Sequence, residues 1–181
     1  GEQFDNVGVI GPMSNAASWQ SVPYLTGDDG KFCINKIPDG LGVDDMDEIC
    51  RDIASGEAIF VPLVNGFCYA VRRAAIDSVG LFDEESFPMG YGEEDDFSLR
   101  VADSGLQCAL ALGAYVFHSK SATFTAERRI PLVAQGAAAL RSKHSDERLK
   151  ASVKSLRNHR RLEQFRHQFE MAQSKKLESL R

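Results

Sequence analysis

The run LQCALALGAYVFH, residues 106–118, constrains this chain more than any other stretch. It is apolar almost throughout, follows a glycine and ends on a histidine. Its length suits a buried strand or a strand pair rather than a membrane span, which needs about 18 or more consecutive apolar residues. Two other segments have similar character. VGVIGP (7–12) reads as a short buried strand stopped by Gly11-Pro12. IFVPLVNGFCYAVRR (59–73) reads as one or two strands with Asn65-Gly66 between them. Helical spacing separates these runs. Met46, Ile49, Cys50 and Ile53 recur on one face of 43–56, behind an acidic first turn and ahead of Gly56. AAIDSVG (74–80) is a short helix ending at Gly80. Phe97 and Val101 stand i, i+4, and Gly105 closes the turn, which predicts a helix over about residues 94–104. Strands and helices that alternate in this way make an α/β layer fold.

Charge divides the chain differently. Residues 1–140 carry 21 acids against 9 Lys and Arg, whereas residues 141–181 carry 5 against 12. An acidic body is therefore joined to a basic tail. The tail reads as helical from 131 to 181, after a loop holding Arg128-Arg129. Leu149, Val153 and Leu156, then Leu162, Phe165 and Phe169, form an apolar stripe with a phase slip between its halves. The first half is expected to pack on the body. The second is expected to be an amphipathic arm, either solvated or used for helix-mediated self-association or membrane-surface contact. Residues 26–42, rich in Gly, Asp and Pro, read as a surface insertion. Cys33, Cys50, Cys68 and Cys108 form no CxxC pair and sit among apolar neighbours, the pattern of reduced cysteines in a reducing compartment. An apolar fraction of 43% is ordinary for a globular domain. The basic residues are not interleaved with a nucleic-acid-binding motif, so no nucleic-acid partner is expected. The opening GEQFDNVGVIG shows no signal-peptide pattern.

The chemistry concentrates in FPMGYGEEDDFSLR, residues 87–100, with four adjacent carboxylates. A helix N-terminus stabilises negative charge through its exposed N–H groups and dipole. Adjacent helical residues point about 100° apart, so the four acids fan out. Asp96 and Arg100 stand i, i+4 and can pair along the helix, which makes Asp96 structural. Glu93 or Glu94, just after Gly90-Tyr91-Gly92, can project into a cleft, and like charges nearby raise a carboxyl pKa towards that of a general base. On local physics alone the cluster also reads as a solvated helix start. His118 ends its strand before Ser119-Lys120-Ser121, where it can be a metal ligand, a phosphate contact or a half-buried structural histidine.

Taken in order, Gly66, Arg72-Arg73, Gly80-Leu81-Phe82-Asp83-Glu84, Tyr91 to Asp96, Arg100, Gly105 and His118 resemble the acceptor-side half of family-2 glycosyltransferases, the inverting GT-A enzymes. The resemblance covers roughly residues 6–145, and VGVIGPMSNAASWQSVP is similar to the segment that follows the donor half in one bacterial branch. It implies a partial GT-A-like mixed sheet flanked by helices over residues 1–145, then a basic helical extension over 146–181. It implies Glu94 as catalytic base, with Glu93 in reserve because many relatives carry the shorter Asp at that position. Gly66, Tyr91, Gly92, Asp95 and Asp96 would shape the acceptor side. His118 would complete the coordination of Mg²⁺ or Mn²⁺ on the donor diphosphate. The partners implied are a nucleotide sugar and a glycan or lipid-linked hydroxyl acceptor, as in bacterial surface-polysaccharide synthesis, in the cytoplasm at the inner face of the membrane.

The family's donor half ends in an apolar strand followed by Asp-x-Asp. Asp45-Met46-Asp47 follows Gly-Val-Asp instead and lies in an amphipathic pattern, so it reads as a helix start. The expectation is therefore the C-terminal portion of a glycosyltransferase domain, which alone neither binds nucleotide sugar tightly nor turns over. The alternative is a non-catalytic binding or tethering module that uses the acidic body or the basic C-terminal helix. DDGKFCINKIPDG lacks the ligand alternation of an EF-hand loop, which leaves calcium little support.

Overall fold

The computed structural model describes residues 5–119 and 126–180. Its strands are β1 (Val7–Met13), β2 (Ala58–Val61), β3 (Ala70–Val71) and β4 (Gln107–Tyr115). Its helices are α1 (Val43–Ala54), α2 (Arg73–Val79), α3 (Glu93–Asp103), α4 (Ala126–Lys143), α5 (Asp146–Arg157) and α6 (Arg160–Glu178). The strands form one mixed sheet in the order β2-β4-β1-β3. β1 and β4 are parallel at its centre, and each carries an antiparallel strand on its outer edge. The molecule is thus a mixed α/β fold, as the alternating pattern predicts.

β4 is one strand and stops three residues before His118. Its Cys108, Leu110 and Leu112 are buried with Ile59 and Val61 of β2 and with Met46, Ile49 and Cys50 of α1. Asp47 ties α1 to the end of the strand, its carboxylate accepting the Tyr115 N–H at 3.0 Å. β1 does not stop at Gly11-Pro12, contrary to the sequence reading. β3 pairs only with Val9 and Ile10, so β1 is an edge beyond that point and the missing N–H of Pro12 breaks no ladder there. The loop 62–69 joins β2 and β3, which lie on opposite edges of the sheet, and passes over β1, where Val64 and the Cys68 carbonyl stand against Gly11.

The basic tail departs furthest from expectation. It is three helices, not one run, and α4 already begins at Ala126, so Arg128 and Arg129 lie on helical backbone. Ser145 and His159 cap α5 and α6 by accepting the N–H groups of Arg148 and Leu162. The break between α5 and α6 accounts for the phase slip in the stripe. The predicted free amphipathic arm is corrected: Leu162, Phe165 and Phe169 have no exposed surface and join the core that holds α1 and β4. Arg166 of α6 is buried with them and donates to the carbonyls of Ser21 and Trp19. One core therefore runs through the expected domain boundary at 145/146, and the stripe is consumed inside the chain. Residues 26–42 form an irregular, largely exposed stretch as expected, anchored by buried Asn35 donating to the Asn15 carbonyl at 3.0 Å. Cys50 and Cys108 are buried, Cys33 and Cys68 half-buried, and all four are free thiols. No described helix is long and apolar enough to cross a membrane.

Candidate functional site

The parallel pairing of β1 and β4 brings both of their C-terminal ends to one edge of the sheet. The short turn after α3 reverses the chain into β4, so α3 begins where β4 finishes. The loop from β2 to β3 passes over β1 towards this end, held by the Asn65 N–H donating to the Gln20 carboxamide oxygen at 2.6 Å. Gly66 and Phe67 on this loop bring the site together.

Glu94 packs on Gly66. A Cβ at Gly66 would stand 3.2 Å from the Glu94 Cβ and 3.4 Å from its carboxyl carbon, so a side chain there would crowd Glu94 and require it to shift by a few tenths of an ångström. The Glu94 Oε2 accepts the Gly92 N–H at 3.2 Å, and the Gly66 amide also bonds the carboxylate. Burial, followed by the charge of Glu93, raises the Glu94 pKa above the ordinary carboxylate range; the amide bonds offset part of this. Glu93 points elsewhere. Its Oε1 lies where a Cβ on Gly90 would meet it at 3.3 Å, and its Oε2 is enclosed without a hydrogen-bond partner among the described residues. The fan expected of adjacent helical acids is realised, and it separates the two glutamates. Asp95 is pushed up to about 7 by burial and then by the charges of Glu94 and Glu93.

Asp96 is different. It is fully buried and pairs with Arg100 Nε at 2.8 Å, His144 Nε2 at 2.9 Å and Lys143 Nζ at 3.3 Å. Burial alone would raise its pKa, but these cationic and donor partners outweigh burial and hold it low. Arg100 also donates to the carbonyls of Val79 and Leu81 at 2.6 and 3.0 Å, which ties α2 to α3. The Asp96–Arg100 ion pair forms, as the spacing predicts.

Gly90, Tyr91 and Gly92 take φ of 81°, 68° and 121°, a turn in the left-handed region that tyrosine enters only at a cost. α4 crosses this turn at backbone contact: a Cβ on Gly136 would lie 1.6 Å from the Tyr91 carbonyl oxygen. Behind the acids, the Tyr69 hydroxyl lies 2.9 Å from Ser98 Oγ and 3.3 Å from the Glu94 carbonyl.

His118 is half-buried and held on three sides. Its N–H donates to Asn15 Oδ1 at 2.7 Å, and its carbonyl accepts from Asn15 Nδ2 at 3.2 Å. Its Nδ1 stands 2.7 Å from the Ala16 carbonyl, which can only accept, so Nδ1 carries a proton and the lone pair of the neutral ring lies on Nε2. The ring stacks on Phe67, with centroids 5.0 Å apart and planes inclined by 21°. Residues 66 and 67 therefore touch Glu94 and His118 respectively. Of the predicted SKS segment after the histidine, 120 and 121 lie outside the described residues. Asn15, Phe67, Gly136 and His144 were not singled out from the sequence. Asn15 alone carried a signal, as a polar residue between a strand end and a loop.

A divalent cation finds few ligands here. Nε2 of His118 has the right chemistry, but no three His, Cys, Asp or Glu among the described residues converge on a metal position. Asp45 and Asp47 are engaged as the start of α1. Asp45 accepts the Gly42 N–H at 2.7 Å and pairs with Lys176 at 3.1 Å, while Asp47 holds Tyr115 and pairs with Arg51. The described residues do not by themselves make a Mg²⁺ or Mn²⁺ site.

What the fold and site define is a mixed α/β protein with a desolvated carboxylate and an oriented imidazole at the end of its central parallel pair. No protein-family model, curated protein or solved structure matches the chain.

Proposed function

We propose that this chain is the acceptor-side portion of an inverting glycosyltransferase of the GT-A type, with Glu94 as its general base. One observation carries the reading. Glu94 is a carboxylate of raised pKa, packed on a glycine where a Cβ would already crowd it, in a loop whose next residue stacks on His118. A carboxylate of raised pKa accepts a proton more readily than a solvated one, and backbone N–H groups hold this one in place. Glu94 would take the proton of an acceptor hydroxyl as its oxygen attacks the anomeric carbon of a nucleotide sugar. The bond to the nucleoside diphosphate breaks on the opposite face, which inverts the configuration. Glu93, turned towards Gly90, is the weaker candidate. Asp95 and the Gly90–Gly92 turn shape the acceptor side.

Donor binding, and most of the oxygen ligands for Mg²⁺ or Mn²⁺, belong to a nucleotide-binding half supplied by another segment, with His118 Nε2 as this chain's contribution. The isolated chain then neither binds nucleotide sugar tightly nor transfers. The test is Glu94→Gln in the full-length protein. Transfer should fall by on the order of 10²–10⁴-fold with the fold and donor KM retained. Unchanged transfer would leave Glu94 a structural role only and end the proposal.

A further inference from the structure

The segment SNAASWQ (14–20) follows β1, and glycosyl transfer by itself gives it no task. Two of its side chains, Asn15 and Gln20, are amides that are each 2% exposed. An amide withdrawn so fully from water needs partners for its oxygen and for its nitrogen. Both amides find them at the site. The β1–β4 pairing reaches Tyr115, and the Val116 N–H donating to the Met13 carbonyl at 3.0 Å carries it one bond further. Beyond that point the Asn15 side chain acts as a neighbouring strand would. Its Oδ1 accepts the His118 N–H at 2.7 Å, and its Nδ2 donates to the carbonyl of the same residue at 3.2 Å. A main-chain N–H only donates and a carbonyl only accepts, so the amide has one orientation and the peptide groups on both sides of His118 are held by it. The ring then meets the Ala16 carbonyl of the same segment through Nδ1. Gln20 serves the loop over β1. Its Nε2 donates to the Pro12 carbonyl at 2.7 Å, and its Oε1 accepts the Asn65 N–H at 2.6 Å. Asn65 Oδ1 in turn accepts the Phe67 N–H at 3.2 Å, which closes a turn around Gly66. The segment carrying both amides is itself braced. The Ser14 N–H donates to the Gln20 carbonyl at 3.0 Å, while Arg166 of α6 donates to the carbonyls of Trp19 and Ser21.

We propose that Asn15 and Gln20 are positioning residues, through which one braced loop sets both the imidazole of His118 and the carboxylate of Glu94. Asn15 acts on His118 through its main chain, and Gln20 acts on Glu94 through Asn65 and Gly66. What the two groups do in transfer rests on the glycosyltransferase reading; their placement by the amides does not. Aspartate at 15 would keep the size but lose the donor to the His118 carbonyl, and leucine would keep the shape and lose both bonds. Methionine at 20 would fill the same unbranched space and release Asn65.

The test reads each group by its own signal in the intact, metal-free chain. At about pH 9, above the histidine range, the ring nitrogen shifts report the neutral tautomer, and His118→Gln identifies the His118 signals by their loss. His118 should be in the Nδ1–H form, whereas free imidazole favours Nε2–H. Asn15→Leu and Asn15→Asp should each turn it into a mixture of the two forms and leave the titration of Glu94 unchanged. Glu94 is followed by the carboxyl shift of labelled glutamate and identified by Glu94→Gln. Gln20→Met should give the reverse. His118 keeps its tautomer, and the Glu94 pKa falls towards the ordinary range, because burial is the largest cause of its rise and a loosened Gly66 admits water. Gln173→Leu removes a buried amide that bonds Met46 and should move neither signal. An Nε2–H ring in the unaltered chain would overturn the proposal whether or not the variants fold, which circular dichroism checks. Unmoved signals in the Asn15 and Gln20 variants would also overturn it, as would equal shifts in Gln173→Leu, the mark of general loosening. In the full-length protein, Gln20→Met should carry the acid limb of the pH profile of transfer downwards with the Glu94 pKa. A full-length protein without transfer would end the glycosyltransferase reading and leave both spectroscopic results standing.

Discussion

Glu93 and Glu94 are adjacent in the chain but face different surroundings. One lies over Gly90, the other against Gly66 and the amides around it. Asp95 and Asp96, also adjacent, have opposite titration behaviour. Asp95 is raised to about 7, so the folded protein holds its proton more tightly than the unfolded chain does. Stability is therefore lost as pH rises from about 4 through 7, because ionisation is resisted only in the fold. Asp95→Asn should stabilise the protein at pH 8 by roughly 1–3 kcal/mol and change little at pH 4. Urea denaturation at the two pH values measures this, and an equal effect at both would refute it. Asp96 is held low, so its contribution is complete above its unfolded pKa and fades as pH falls below that. The sequence sets only Asp96 apart, by its spacing from Arg100; the other three acids are distinguished by their surroundings in the fold.

Among the elements, α3 is the one that positions the site, and Asp96 fastens it. The carboxylate reaches Arg100 on its own helix, Lys143 at the end of α4 and His144 just beyond. Lys143 also pairs with Asp83, whose carboxyl is held well below its usual range, chiefly by that bond. Asp96→Ala would leave Arg100 and Lys143 facing a buried void where their counter-charge stood. A loss of about 3–5 kcal/mol is expected, the range for removing one partner of a buried pair. His144→Ala removes a neutral-capable donor and leaves both cations paired, so it should cost less than Asp96→Ala. Chemical denaturation of the two variants tests the order. The i, i+4 spacing made the Asp96–Arg100 pair legible in advance. His144 was not legible, because it comes from the junction between α4 and α5, 48 residues away, and a lone histidine has no pattern.

Across the whole molecule, the composition boundary and the core boundary do not coincide. Leu156, Leu162, Phe165 and Phe169 are wholly buried, and Tyr115 of β4 stacks on Phe169 with ring centroids 6.3 Å apart. Removing a buried Phe side chain costs about 3–5 kcal/mol, and α6 brings two along with a buried Leu. A chain ending at 158 should therefore lose cooperative unfolding and expose apolar surface; a sharp native-like transition from it would show that α6 is dispensable. Local pattern by itself determined the elements here: the spacing of Phe97 and Val101, the run 106–118, the i, i+4 pair of Asp96 and Arg100, and the helix start at Asp45. Each rests on interactions within a turn or two of chain, where residue identity is sufficient. Tertiary structure decided that the tail's apolar stripe belongs to the core, that β1 runs on through Pro12, and that Gly66 and Phe67 join Glu94 to His118. These contacts link residues far apart in the chain, and their energy arises only when folding excludes water between them. The acid cluster thus declared its charge in sequence, whereas which carboxylate is desolvated depended on a glycine 28 residues earlier.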